Sequence, residues 1–88
     1  MNLTRPLAFL DVETTGTDPV ADRIVQVGIA TLDTIASTPR TYSKMVHPGR
    51  LIPAEASAVH GITDATVDGL SGFSKIAQDV VGQLAGCD

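Results

Sequence analysis

Two acidic residues, Asp11 and Glu13, stand one residue apart in the largely apolar segment FLDVETTGT at residues 9–17. A carboxylate that enters an apolar strand costs free energy unless something compensates its charge. In a strand, residues i and i+2 point to the same face, about 7 Å apart along the backbone. Two carboxylates placed in this way ionise together most easily with a cation between them, and Mg²⁺ and Mn²⁺ prefer oxygen ligands. The spacing therefore predicts a divalent-cation site at these two residues.

The residues that follow the acids are Thr14, Thr15 and Gly16, which offer backbone N–H groups and room for a ligand. A second interpretation of the same string stays open. In that interpretation Asp11 ends the strand and caps the next turn, while Glu13 is simply solvated. Residue types alone do not decide between the two.

The elements that must position these residues begin with three predicted strands, at residues 7–12, 24–32 and 41–46. The segment 14–22 is rich in Gly, Pro, Asp and Thr and predicts a loop, and residues 33–40 predict a turn. The connections are too short for a crossover helix, so we expect an antiparallel meander. In the second strand, alternate apolar residues share one face: Val25, Val27 and Ile29.

Helices are predicted in the second half of the chain. The first spans residues 53–60, with Pro53 near its start and Gly61 as its terminator. Thr63 is expected to cap a further short turn. A last helix follows from apolar residues at helical spacing, with Ser71 or Ser74 as its cap and Gly86 at its end. Its apolar stripe consists of Phe73, Ile76, Ala77, Val80, Val81 and Leu84.

Composition limits the classes of protein to consider. The 88 residues suffice for one small domain, and the net charge of −4 argues against broad electrostatic capture of nucleic acid. Cys87 is the only cysteine, so no internal disulfide forms, and a cytoplasmic location is expected. The N-terminus does not match a signal peptide, and no apolar run approaches the roughly 18–20 residues of a membrane span, so no membrane association is expected.

Three segments resemble one known family in order and spacing. LAFLDVETTGTDP (7–19) is similar to the first motif of the DEDD superfamily of 3′–5′ exonucleases, the DnaQ-like proofreading group. DRIVQVGIATLD (22–33) is similar to that family's second strand. VHPGRLIPAEASAVHGITDATV (46–67) is similar to the segment after its third strand.

The resemblance implies an α/β fold of the RNase H-like type and a two-metal mechanism. In this chain that fold is expected to be truncated: a three-stranded antiparallel meander plus helices, without the later parallel strands. The resemblance implies that Asp11 and Glu13 are catalytic residues and ligate two Mg²⁺ or Mn²⁺ ions. Single-stranded DNA or RNA would bind by its 3′ end, and a DNA polymerase subunit is a possible partner. The implied substrate-binding residues are Thr14, Thr15, Gly16, His60, Gly61 and Ile62.

The chain also departs from the family pattern. A complete member carries an Asp near a His-Asn-x-x-Phe-Asp motif, and a third motif with a general base and a final Asp; neither occurs here. We therefore expect residues 1–88 to be the N-terminal part of one exonuclease domain, inactive alone. The first strand would then expose an apolar edge that favours self-association.

Other interpretations remain open at this point. His60 is alternatively a helix-terminal residue that interacts with the helix dipole, and His47 is expected to be a solvated turn residue. The chain as a whole is alternatively a non-catalytic nucleotide-binding or polymerase-docking module. A Mg²⁺-dependent phosphatase of the haloacid-dehalogenase kind, with Asp11 as nucleophile, is a further alternative.

Overall fold

The computed structural model describes residues 5–34 and 36–88, and residues 1–4 and Ile35 lie outside it. The N-terminal residues used to judge the signal peptide, and one residue of the predicted 33–40 turn, are therefore not described. Three strands come first: β1 (Leu7–Thr14), β2 (Ile24–Leu32) and β3 (Arg40–Met45). Three α-helices follow, with a 3-10 turn at Phe73–Lys75 before the last one. They are α1 (Ala54–His60), α2 (Asp64–Val67) and α3 (Ala77–Leu84).

The strands form an antiparallel sheet in the order β1-β2-β3, which confirms the predicted meander. Asp11 pairs with Gly28 within β1, and the strand is longer than predicted because its pairing continues through Glu13, opposite Gln26, and Thr14, opposite Ile24. The interpretation in which Asp11 ends the strand is therefore wrong. Both carboxylates belong to β1, and a register irregularity follows only after Glu13.

One face of the sheet, which we call the core face, carries the buried apolar side chains. On β2, the alternate residues Val25, Val27 and Ile29 are buried on this face, as the sequence pattern predicts. The apolar cluster around Val25 is completed by residues from the second half of the chain. These are Ile52, Ile62 and Val67, with Ala56 packed against them.

The ends of α1 and α2 follow the predicted chemistry. Gly61 ends α1 with a φ of 75°, and its N–H donates to the carbonyl of Ser57 at 2.8 Å. A positive φ suits glycine because it has no Cβ to clash with the backbone. Thr63 caps α2 and exchanges hydrogen bonds with Thr66 in a capping box. Pro53 is the residue that immediately precedes the first turn of α1.

The last helix differs from its prediction in two ways. It begins at Ala77, because Phe73–Lys75 form a separate 3-10 turn, and neither Ser71 nor Ser74 caps it with its side chain. Val81, predicted on the apolar stripe, is 67% exposed, and no residue of α3 is fully buried. The end of the helix follows the prediction, since Gly86 has a φ of 75° directly after Ala85.

The outer edge of β1 is apolar and open along most of its length. Among the described residues β1 forms a ladder with β2 alone, and Phe9 and Leu10 are 58% and 55% exposed. In the described part of the chain, the backbone partner of this edge lies at its start. The N–H of Ala8 donates to the carbonyl of Asp88 at 2.7 Å, and the N–H of Asp88 donates to the carbonyl of Pro6 at 2.8 Å. The backbone of Asp88 thus bonds to the residues on both sides of Leu7, which is the hydrogen-bond pattern of two parallel strands.

Within the described ranges, the helices are too short or too polar for any of them to cross a bilayer. The longest is the eight-residue α3.

A core substitution tests the assignment of the core face. Val25→Ala removes two methyl groups from a side chain with no exposed surface, so the free energy of unfolding should fall by about 2 kcal/mol. The same substitution at Val20, which is 82% exposed, should leave it within about 0.5 kcal/mol of the wild-type value. Urea denaturation of the two variants measures the difference. Equal losses would contradict the assignment.

Candidate functional site

The two acids lie on the sheet face opposite the core, which we call the carboxylate face. Asp11 pairs with Gly28, which in turn pairs with Ser43, and directly opposed residues of neighbouring strands share a face. Glu13 pairs in the same way with Gln26. The strand period therefore places both carboxylates on one side of β1, while the buried valines of β2 point to the other side.

A cleft of about 230 Å³ lies between the acids on the carboxylate face. Gly28 keeps it open: a Cβ added there would point into free space, with the Asp11 carbonyl oxygen, 3.9 Å away, as its nearest neighbour. The cleft is lined by Asp11, Glu13, Gln26, Gly28 and Ser43.

These residues fit part of a divalent-cation site. Both charged groups are carboxylates, the hard oxygen ligands that Mg²⁺ and Mn²⁺ prefer. In residues 5–34 and 36–88, however, no group of three or more Asp, Glu, His or Cys side chains comes together. The described residues supply two carboxylates on one face, which could hold one Mg²⁺ ion that keeps several waters.

A second cleft of about 490 Å³ opens where β1 ends, between α1 and residues 14–17, which we call the lip. Glu13 lines this cleft as well as the smaller one, so it connects the carboxylate face to the larger space. Thr14, Thr15 and Gly16 line the larger cleft. The remaining lining residues are Val12, Thr17, Asp22, Pro53, Glu55, Ala56, Val59 and His60.

The charges around the larger cleft restrict what binds there. Three of its lining residues are acidic, namely Glu13, Asp22 and Glu55, and none of those described is Lys or Arg. A phosphate group entering this cleft would meet the carboxylates of Glu13 and Glu55, while that of Asp22 is paired with Arg50 at 3.4 Å. Bound divalent cations would supply the missing positive charge.

His60 joins the lip to the end of α1. Its Nδ1 accepts a hydrogen bond from the N–H of Ile62 at 3.0 Å, so the ring proton lies on Nε2, which donates to the carbonyl of Thr14 at 3.0 Å. Both ring nitrogens are therefore engaged within the protein. The geometry shows a connecting role for His60 that neither sequence interpretation included.

The other predicted site residues are distributed differently. Gly61 ends α1 and Ile62 is buried in the core cluster, so neither lines the larger cleft. Their contact with substrate stays a prediction. His47 is exposed, and its Nδ1 accepts a hydrogen bond from the N–H of Gly49 at 2.9 Å, which agrees with a turn residue.

Sequence reasoning missed Asp22, whose side chain is only 16% exposed. The Thr15 hydroxyl donates to its carboxylate at 2.7 Å. This bond, a backbone bond from Asp18 and the charges of Arg50 and Arg23 hold the pKa of Asp22 below its usual value of 3.8. The sequence offers one signal for this residue: Asp22 stands two residues before β2, whose first residue, Ile24, pairs with Thr14 of the lip.

The chain is similar to known exonucleases in sequence. The exonuclease family model (RNase_T) matches residues 8–86. The DNA polymerase III subunit epsilon of Buchnera aphidicola is 34% identical over 84 residues, which are 90% of this chain and 36% of that protein. The 3′-5′ exonuclease DinG of Bacillus subtilis is 33% identical over 87 residues, 98% of this chain and 9% of that protein. The chain thus spans about a third or less of these relatives.

Solved structures show the same likeness. Exonuclease X, solved in complex with 5′ overhanging duplex DNA, is 31% identical with a TM-score of 0.67, over 84% of this chain and 42% of that one. Exonuclease I from Methylocaldum szegediense has a TM-score of 0.79 at 24% identity, over 94% of this chain and 19% of that one, and this likeness shows the fold. The RNase H-like fold, truncated relative to these proteins, is confirmed.

Metal titration tests the carboxylate face. Asp11→Asn should weaken Mn²⁺ binding at least about tenfold, because the loss of even a partner of a metal ligand has that cost. Gly28→Val should weaken it similarly by filling the cleft beside Asp11, while the β-branched side chain suits the strand.

The matched control is Ala30→Val, two residues along the same strand and the same face, opposite Phe9. Its Mn²⁺ affinity, followed by electron paramagnetic resonance, should equal that of the wild type. Equal Mn²⁺ affinities for the Gly28→Val and Ala30→Val variants would rule out a metal in this cleft.

Proposed function

Because the chain belongs to the exonuclease family (RNase_T), we propose that it is the N-terminal part of a domain that hydrolyses DNA or RNA from the 3′ end. The observation that carries this proposal is the position of Glu13 in both clefts. A 3′-terminal nucleotide seated between the lip and α1 would have its phosphodiester beside the carboxylate pair. The relative DinG is a 3′-5′ exonuclease, which supports hydrolysis from the 3′ end.

The roles of the chain's own residues follow from their positions. On this proposal Asp11 and Glu13 are the catalytic residues and would hold the metal, Mg²⁺ or Mn²⁺. When bound, two such ions supply an activated water and positive charge at the attacking and leaving oxygens. Glu13 also lies next to the lip, from which it can orient a water towards the phosphorus.

The nucleoside would be held by the lip and α1. The N–H groups of Gly16 and Thr17 donate to no other atom in the part of the chain that the structure describes, so they are available to a substrate oxygen. Val59 offers an exposed apolar surface for the sugar or base. His60 acts by holding the Thr14 carbonyl, and Gly61 and Ile62 by fixing the end of α1.

Two observations support the proposal that this chain is one part of a domain: the open edge of β1, and the small share of the relatives' length that the chain covers. The backbone of Asp88 pairs in parallel fashion with the start of β1, and the remaining edge of β1 is apolar and open. The matched relatives are about three times as long or longer. On this proposal further metal ligands and the general base come from other residues, and the 88 residues alone do not turn over substrate.

Partners and location belong to the same proposal. The relatives named as subunits of DNA polymerase III support a polymerase as a partner. Self-association through the edge of β1 is a second possible contact, since Phe9, Leu10 and Val12 are exposed there. A cytoplasmic location agrees with the free thiol of Cys87.

The two other functions considered from the sequence have different tests. A docking module without catalysis predicts tight polymerase binding and no activity after the domain is completed. A phosphatase of the haloacid-dehalogenase kind predicts an acyl-phosphate on Asp11, which trapping with a phosphate analogue would detect.

A chimeric protein tests the nuclease proposal. Residues 1–88 are joined to the part of the Buchnera aphidicola epsilon subunit that follows the aligned region, and a 3′-labelled single-stranded oligonucleotide is added with Mg²⁺ or Mn²⁺. We expect release of the 3′ label by the chimera, and a loss of at least about a thousandfold in the Asp11→Ala chimera, because the metals lose a ligand.

Residues 1–88 alone, at the same concentration, should match the Asp11→Ala background. The nuclease proposal fails if the Asp11→Ala chimera degrades the oligonucleotide as fast as the parent. Turnover by residues 1–88 alone that depends on Asp11 would instead contradict only the claim that further residues are required.

A further inference from the structure

The carboxylate of Asp22 joins three separate segments of the chain. Its Oδ1 accepts the Thr15 hydroxyl at 2.7 Å, and its Oδ2 accepts the N–H of Asp18 at 2.9 Å. Arg50, which lies between β3 and α1, donates to the Ala21 carbonyl at 2.9 Å and approaches Oδ1 at 3.4 Å. The lip, the loop before β2 and the segment leading to α1 therefore meet at one side chain.

The direction of the hydrogen bonds requires an acceptor at position 22. Thr15 is buried, and its Oγ1 already accepts the N–H of Arg23 at 3.0 Å. Its own proton points to Oδ1 of Asp22, while Oδ2 accepts the N–H of Asp18, so both oxygens of the Asp22 side chain act as acceptors. The lowered pKa of Asp22 has this bond as its largest cause.

Gly16 packs directly against the same carboxylate. A Cβ added to Gly16 would lie 2.8 Å from Cγ and 2.9 Å from Oδ1 of Asp22, which is closer than real side chains approach. The lip backbone thus rests on the Asp22 side chain with no space for an intervening group. A displacement of this carboxylate would move Gly16 and the adjacent N–H of Thr17.

We propose that Asp22 is a positioning residue for the 3′-terminal nucleotide. Through Thr15 and Gly16 it holds the lip so that the N–H groups of Gly16 and Thr17 meet an oxygen of the nucleotide. It neither ligates the metal nor touches the reacting atoms. This inference rests on the proposed function, since it assigns a role within the same cleft.

The test measures thymidine 5′-monophosphate binding in the presence of Mg²⁺ by calorimetry, with Mn²⁺ affinity measured separately. Asp22→Asn keeps the shape of the side chain but removes its charge and one acceptor. We expect nucleotide binding about tenfold weaker, because a small displacement of positioning groups has a large effect. Mn²⁺ affinity should be unchanged, because the metal ligands lie on the carboxylate face.

Two further variants and one control keep the test decisive. Thr15→Val removes the hydroxyl and should weaken nucleotide binding as much as Asp22→Asn does. Thr15→Ser keeps the hydroxyl and should retain nucleotide binding. Asp33→Asn is the matched control, because Asp33 also has a lowered pKa and an arginine partner, Arg40 at 3.0 Å, but lies outside both clefts. Its nucleotide affinity should equal that of the wild type.

Unchanged nucleotide affinity in both the Asp22→Asn and Thr15→Val proteins would overturn this inference and leave the proposed function standing. A parallel loss of nucleotide and Mn²⁺ affinity in these variants would also overturn it, because that result indicates a general structural role. If the wild-type protein binds Mn²⁺ but no nucleotide, the proposed nucleotide site fails and this inference fails with it.

Discussion

The antiparallel pairing of β1 with β2 is the constraint on which the rest of the molecule depends. Its register sets Asp11 opposite Gly28 and Glu13 opposite Gln26, which turns both carboxylates away from the buried valines. A slip of one residue would exchange the two faces of β1 and set the charges on the face that carries the buried valines of β2. The observed register instead pairs Leu10 with Ile29 and Val12 with Val27 on that face. Fold and candidate site are specified by one interaction.

The acidic character of the site then determines how it can bind a polyanion. The larger cleft presents Glu13, Asp22 and Glu55 without a lysine or arginine among its described lining residues, and the net charge of the chain is −4. Asp22 is already bonded to Thr15 and Arg50, which leaves Glu13 and Glu55 in this cleft, with Asp11 beside Glu13 on the carboxylate face. On the proposed function, nucleic acid would be recognised locally, at a metal-bound 3′ end, rather than through a basic surface.

Much of this fold could be predicted from the sequence, because the local preferences of the residues and the pattern of apolar side chains indicate the same strands and helices. Alternation of valines predicts β2, and Gly61 and Thr63 predict the helix boundaries that are found. The end of β1 was predicted two residues early, at Val12, because polar residues follow it, whereas the ladder with β2 continues through Glu13 and Thr14. The start of α3 was misjudged because a 3-10 turn at Phe73–Lys75 has similar apolar spacing.

The side-chain contacts that hold the candidate site together could not be predicted from the sequence, for a different reason. The contacts of Asp22 with Thr15 and Arg50, and of His60 with Thr14, join residues that are distant in the chain and have no periodic signal. Such pairs become visible only when the strands and α1 are assembled. The resemblance to exonucleases pointed to the two acids and to residues of the lip, but not to the side chains that hold the lip in place.

The most direct test of the central claim, a metal-dependent nucleotide site at the carboxylate pair, is paramagnetic broadening in ¹⁵N-labelled protein. Trace Mn²⁺ should broaden the amide signals of Asp11, Glu13 and Gly28 first. Thymidine 5′-monophosphate should then shift the signals of Gly16 and Thr17 when Mg²⁺ is present, and leave them unchanged in EDTA. Broadening centred on other acids, such as Asp33 or Asp64, or nucleotide binding without metal, would contradict the account.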